Sequence, residues 1–124
     1  MSSPDNPLLD SKRINFQTRL QMARNMRDYI NEFMIPAFNL EKKYEAKASV
    51  PLSVDHVWVL IKKSGSTKDD DPFISILIYD DLSWYYKEYL KGSKRARVGF
   101  KTKDEEEVIL AFMKWLSKRS GIKI

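Results

Sequence analysis

Arg95, Arg97, Lys101 and Lys103 recur at even spacings in Lys94-Arg-Ala-Arg-Val-Gly-Phe-Lys-Thr-Lys103, with Ala96, Val98 and Phe100 between them. In an extended strand successive side chains point to opposite faces. Such a strand would anchor three apolar residues in a core and hold a row of cations outside it. Guanidinium forks suit phosphate oxygens well, so the chemistry implied is polyanion binding. From Trp84 to Lys103 there are seven cations (Lys87, Lys91, Lys94, Arg95, Arg97, Lys101, Lys103) against Glu88 alone, a sum of +6, whereas the whole chain carries +5 and the remainder therefore −1. A segment holding the entire net charge is the footprint expected for a nucleic-acid partner. Outward cations also protect edge strands from aggregation, which is the bland reading of the same row. The run Asp104–Glu107, directly after it, would repel phosphate on that side.

Aromatic residues adjoin the cations. Trp84, Tyr85, Tyr86 and Tyr89 cannot all point into the core from so short a segment, and an exposed ring beside cations is what a single-stranded nucleic-acid platform uses. Trp84 or Tyr86 is the ring expected to stack, Trp84 being the first choice, while the other rings are expected in the core. The same rings, with Arg95 and Arg97, would serve equally as anchors in a protein interface.

Catalytic chemistry has little to work with. His56 is the only histidine and cysteine is absent, which removes thiolate metal sites, Cys nucleophiles and histidine clusters. The four glycines, at 65, 92, 99 and 121, form no phosphate-cradling loop. Asp69-Asp70-Asp71 and Asp80-Asp81 could hold a hard cation, and a nuclease would set Asp80 or Asp81 against Glu45-Ala46-Lys47. That chain order is the reverse of the usual acidic–lysine arrangement, so these runs read as a solubilising loop and a strand-end turn. No catalytic residue, metal or cofactor is expected.

These residues must be positioned by a single domain, since 124 residues suffice to bury roughly two-thirds of the unfolded surface. Residues 1–13, with Pro4 and Pro7 and no apolar period, read as a flexible leader, and 14–124 as the domain. Phe16, Leu20, Ala23, Met26, Ile30 and Phe33 step by three and four, predicting a helix over 15–34 that Pro36 ends or kinks. Residues 37–50 are ambiguous, with helix favoured through Lys47 over the alternation of Tyr44, Ala46, Ala48 and Val50. The runs 57–61 and 73–79 read as two strands joined by a polar loop. Residues 82–90 read as a short helix with Leu82, Tyr85 or Tyr86, Tyr89 and Leu90 inward, with an aromatic-rich strand as the alternative. Thr102 and Glu105 form a capping box for a last helix whose buried stripe is Val108, Ile109, Phe112, Trp115 and Leu116, and Gly121 stops it.

The order helix–strand–strand–strand–helix resembles double-stranded-RNA-binding domains in outline. The final helix here opens Lys103-Asp-Glu-Glu-Glu107, where those domains are basic, so no binding residue is carried across. The expected fold is α+β: a three-stranded, mainly antiparallel sheet with N-terminal and C-terminal helices on one face. The expected function is non-enzymatic binding of single-stranded or structured nucleic acid by Arg95, Arg97, Lys101 and Lys103, extended by Lys87, Lys91 and Lys94. The alternative is a small regulator docking on an acidic protein. No membrane span or secretory signal is visible, which predicts an intracellular, cytoplasmic protein, or a nucleoid or nuclear one if bound to DNA.

Overall fold

The computed structural model describes residues 7–50, 56–67, 70–90 and 95–124. Its elements are α1 (Pro7–Tyr29), a π turn (Ile30–Met34), α2 (Ile35–Ala37), five strands and α3 (Glu105–Ser120). The strands β1 (Tyr44–Ser49), β2 (Val57–Lys63), β3 (Ile74–Ile78), β4 (Trp84–Tyr89) and β5 (Ala96–Thr102) form one antiparallel meander in chain order. The α+β class therefore holds, with five strands where three were expected. Among the described residues no helix is long and apolar enough to cross a membrane.

Helix α1 starts at Pro7, well before the expected Asn15. Proline is tolerated there because the first turn has no intrahelical partner for its missing N–H. Further on, Pro36 can give no N–H to the turn before it, and the ladder widens into the π turn immediately upstream. That turn presents Asn31 to β1: its Nδ2 donates to the Ala46 carbonyl (2.9 Å) and its Oδ1 accepts from the Ala46 N–H (2.7 Å). One side-chain amide thus stands in for a neighbouring strand at the sheet's first edge.

Both extra strands correct helix expectations. Residues 44–49 contain good helix formers, but Ala46 pairs with Ile61 and Ala48 with Val59, and tertiary pairing outweighs that weak local preference. In β4, Trp84 and Tyr86 pair with Ile78 and Ile76, where aromatic and β-branched side chains suit a pleated surface. The last helix is capped two residues later than the capping box implied. Asp104 is the N-cap, accepting from the Glu106 N–H at 2.9 Å, while the Thr102 hydroxyl accepts from the Asp104 N–H. Gly121, at φ 75°, ends it as expected.

The register defines two faces. Ala46, Ile61 and Ile74 form one inner row, and Ala48, Val59, Ile76, Tyr86 and Phe100 the next. These rows join Ala23, Met26 and Ile30 from the N-terminal helical segment and Val108, Phe112 and Leu116 of α3 in a single core, so both helices pack on this face. The outer face carries the alternate residues, in rows Ser49–Trp58–Leu77–Tyr85–Lys101 and Lys47–Leu60–Ser75–Lys87–Gly99.

The β3–β4 turn holds Leu82 at φ 65°, a left-handed conformation that costs a side chain with a Cβ about 1–2 kcal/mol. Leu82 is exposed. Leu82→Gly is therefore expected to stabilise the fold by roughly 0.5–1 kcal/mol after glycine's own unfolded-state entropy is counted. A melting temperature that falls would instead assign Leu82 a packing role.

Candidate nucleic-acid interface

The outer face of β4 and β5 brings cations and rings together. Lys87 Nζ lies 4.6 Å from the centre of the Tyr85 ring, and Lys101 Nζ 4.4 Å from that of Tyr79. The two rings are themselves 6.1 Å apart, which makes a continuous cluster Lys87–Tyr85–Tyr79–Lys101. Gly99 lies beside it: a Cβ there would sit 3.6 Å from the Tyr85 ring, so glycine leaves the ring edge uncovered. Trp58 lies in the same row as Tyr85, with the His56 ring edge-on to it at 6.1 Å.

Long side chains cover the middle of this face in the absence of a helix. Ser75 is buried and shares a 2.8 Å hydrogen bond with the Tyr89 hydroxyl. Lys62 is buried too, its ammonium donating to the Thr67 carbonyl at 3.2 Å. Lys47 Nζ donates to the Ser66 carbonyl and lies 3.4 Å from Glu45. Charge presented outward is therefore concentrated on the Lys87 and Lys101 half.

Several expected site residues stand elsewhere. Trp84 and Tyr86 are core residues, 3% and 0% exposed, and cannot stack on a base. They share the parity of Ile78 and Ile76 and so face the helices, which leaves Tyr85 and Tyr89 on the outer face, the Tyr89 hydroxyl being bonded to Ser75. The Tyr86 hydroxyl donates to Glu88 Oε2 at 2.7 Å, and burial pushes its pKa far up, with the Glu88 contact adding to the effect. The row of cations on β5 is also broken. Glu88 pairs with Val98 and Tyr89 with Ala96, so Arg97 is an inserted bulge residue. It lines a groove on the α3 side with Val98. Lys101 joins the aromatic cluster, whereas Arg95 and Lys103 are exposed at the two ends of the strand. Lys91 and Lys94 lie outside the described residues.

Among the described residues the carboxylates weighed for metal chemistry are not brought together, and Asp69 lies outside those residues. Glu45 sits opposite Lys62 near the end of β2, whereas Asp80 and Asp81 follow the end of β3 that pairs with the start of β2. Asp70 instead accepts from the Thr67 N–H in the β2–β3 turn, at 2.9 Å.

Asp81 is the turn's electrostatic anchor. Its carboxylate accepts from the Ser83 hydroxyl and, at 3.0 Å, from the Ser83 N–H, with Lys101 Nζ 3.6 Å away. These bonds, then Lys101 and Lys103, lower its pKa to about 2. The folded value lies below the unfolded one, so the turn's stabilisation is complete above about pH 4 and disappears as pH falls through about 2. Carboxyl NMR titration checks this: Ser83→Ala should move the Asp81 midpoint upward, and an unmoved midpoint would mean the lysines dominate.

Tyr79 and Trp58 are functional candidates that residue-type reasoning passed over, and Tyr85 was weighed as an interface anchor but not as the stacking ring. The signal for Trp58 and Tyr85 was parity, since each alternates with core residues in its strand, whereas Tyr79 follows the uniformly buried β3 and had no such signal. No protein-family model matches the chain, and no curated protein or solved structure shows significant similarity to it.

Proposed function

We propose that the outer sheet face binds single-stranded nucleic acid without catalysing a reaction on it. The observation that carries this reading is the pair of lysine-covered tyrosine rings, Tyr85 and Tyr79, on the sheet face opposite the helix-packed core, Tyr79 lying at its margin beside Asn15 and Arg19 of α1. A lysine over a half-buried ring such as these is held by roughly 0.5–2 kcal/mol, whereas a base stacked on that ring contributes ~1–3 kcal/mol. A base therefore displaces the ammonium from the ring. The flexible lysine stem then carries the charge to the adjacent phosphate, so the displaced cation is used again. Stacking makes no demand on base identity. A duplex keeps its base faces stacked inside the helix and gains only the phosphate contacts.

The test is fluorescence anisotropy with labelled single-stranded DNA, single-stranded RNA and duplex DNA across a salt series. Single strands should bind more tightly than duplex. If Lys87, Lys101, Arg95 and Lys103 all engage, log affinity falls against log salt with a slope of about −3. Absence of binding even at low salt would overturn the reading.

A further inference from the structure

The two edges of the sheet are treated differently. At β1, Asn31 occupies the outward N–H and C=O of Ala46. Among the described residues, no backbone bond outside the sheet's own ladder reaches β5. Beside β5, α3 stops short of closing over the sheet: Leu90, Val98 and Leu110 are 50%, 39% and 52% exposed and line a groove of about 510 Å³. Arg97, the inserted bulge residue, and Lys114 also line this groove.

An open strand edge above an apolar groove is the arrangement used for strand addition. Backbone bonds supply the attachment and alternate side chains enter the groove. Charge selects the occupant. Arg97, Lys114, Lys118 and Arg119 outnumber Glu88 and Glu107 among the lining residues, and Glu88 already accepts the Tyr86 hydroxyl. A second copy of β5 fits poorly. Antiparallel pairing centred on Gly99 would set Arg97 of each copy opposite Lys101 of the other, and like charges directly opposite destabilise a ladder.

We infer that the β5 edge and its groove bind an extended acidic segment of another protein, with apolar residues at alternate positions, as a sixth strand. The α3 flank receives its apolar side chains, and Arg97 and Lys114 pair with its carboxylates. This surface lies on the helix side of the sheet and is separate from the tyrosine–lysine cluster.

The probe is a fluorescein-labelled, acetylated peptide of alternating glutamate and valine, titrated by anisotropy against the full chain. Saturable binding is expected. A peptide with alternate backbone nitrogens methylated should bind about tenfold more weakly or worse, because its ladder bonds are blocked. Leu110→Glu/Lys114→Glu, both on the exposed flank of α3, should weaken the unmodified peptide comparably, while circular dichroism confirms the fold. Hydrogen exchange should slow at β5 amides when peptide is added. Equal binding of the methylated peptide, or no binding at all, would overturn the proposal. So would a dimer in sedimentation velocity that Leu110→Glu abolishes, since the edge would then belong to a second copy. Competition by single-stranded DNA would also count against it, because the two sites would then be one.

Discussion

Tyr85→Ala is expected to weaken single-stranded nucleic-acid binding about tenfold or more, since one lost stack is worth ~1–3 kcal/mol. Lys87→Ala/Lys101→Ala should act through a different variable. Each removed phosphate contact makes the salt slope shallower by about 0.7, so the double variant should lose about 1.4 from the slope, and its affinity deficit should shrink as salt rises. Tyr85→Phe, which keeps the ring, should bind nearly as well as the unmodified protein. The discriminating comparison is with Arg97. Its place in the bulge beside α3 predicts that Arg97→Ala costs less than Lys101→Ala, although the two residues look alike in the alternating segment. Adding a side chain is a further check: Gly99→Val would lay methyl groups against the Tyr85 ring and should reduce stacking without removing a charge. Anisotropy measures all of these. If Arg97→Ala abolished binding while Tyr85→Ala left it intact, the contact surface would be the β5 edge and the outer-face assignment would be wrong.

Removal of the Asn31 amide should produce the largest stability loss on the surface of the fold. It satisfies one donor and one acceptor of Ala46 in a partly buried setting, and leaving such groups unpaired costs about 1–3 kcal/mol. Asn31→Ala is expected to destabilise the protein by roughly 2 kcal/mol in urea unfolding. It should also free the β1 edge, so a concentration-dependent association absent from the unmodified protein should appear in sedimentation velocity. Asn31→Asp tests the geometry. The carboxylate can still accept from the Ala46 N–H but meets the Ala46 carbonyl with a second acceptor, so stability should not be recovered. Full retention of stability in Asn31→Ala would show that water replaces the amide at no cost. The β1 edge would then be as open as β5, and the asymmetry between the edges would vanish.

Much of the scaffold could be read from residue order. The apolar stripe of Phe16, Leu20, Ala23, Met26 and Ile30, the acidic start and Gly121 stop of α3, and the apolar runs of β2 and β3 are local patterns with strong periods. The misread segments were those where the local pattern was compatible with either period. Residues 44–49 combine helix-forming types with a two-residue alternation. In residues 84–89 every side chain is aromatic or charged, so apolar periodicity has no contrast to report. Both became strands because partners lay beside them: Ile61 and Val59 for β1, Ile76 and Ile78 for β4. Cross-strand packing is a property of pairs distant in sequence, and no window along one segment contains it.

The candidate site shows the same division more sharply. The sequence alone determined that cations and aromatic rings would concentrate between Trp84 and Lys103, and that Trp84 and Tyr86 would share one face if the segment were extended while Tyr85 and Lys87 shared the other. It left open which face would be covered, because alternation is symmetric with respect to the two sides of a sheet. Only the tertiary structure decided that. α1 and α3 dock on the side bearing Val59, Ile76 and Phe100, which buries Trp84 and Tyr86 and leaves Tyr85 outward. The bulge at Arg97 was likewise decided by pairing, since an inserted residue exists only relative to the strand opposite it. Charge composition is additive along the chain and survives any fold. The direction in which each charge points is set by contacts between distant elements, and so had to wait for the assembled sheet.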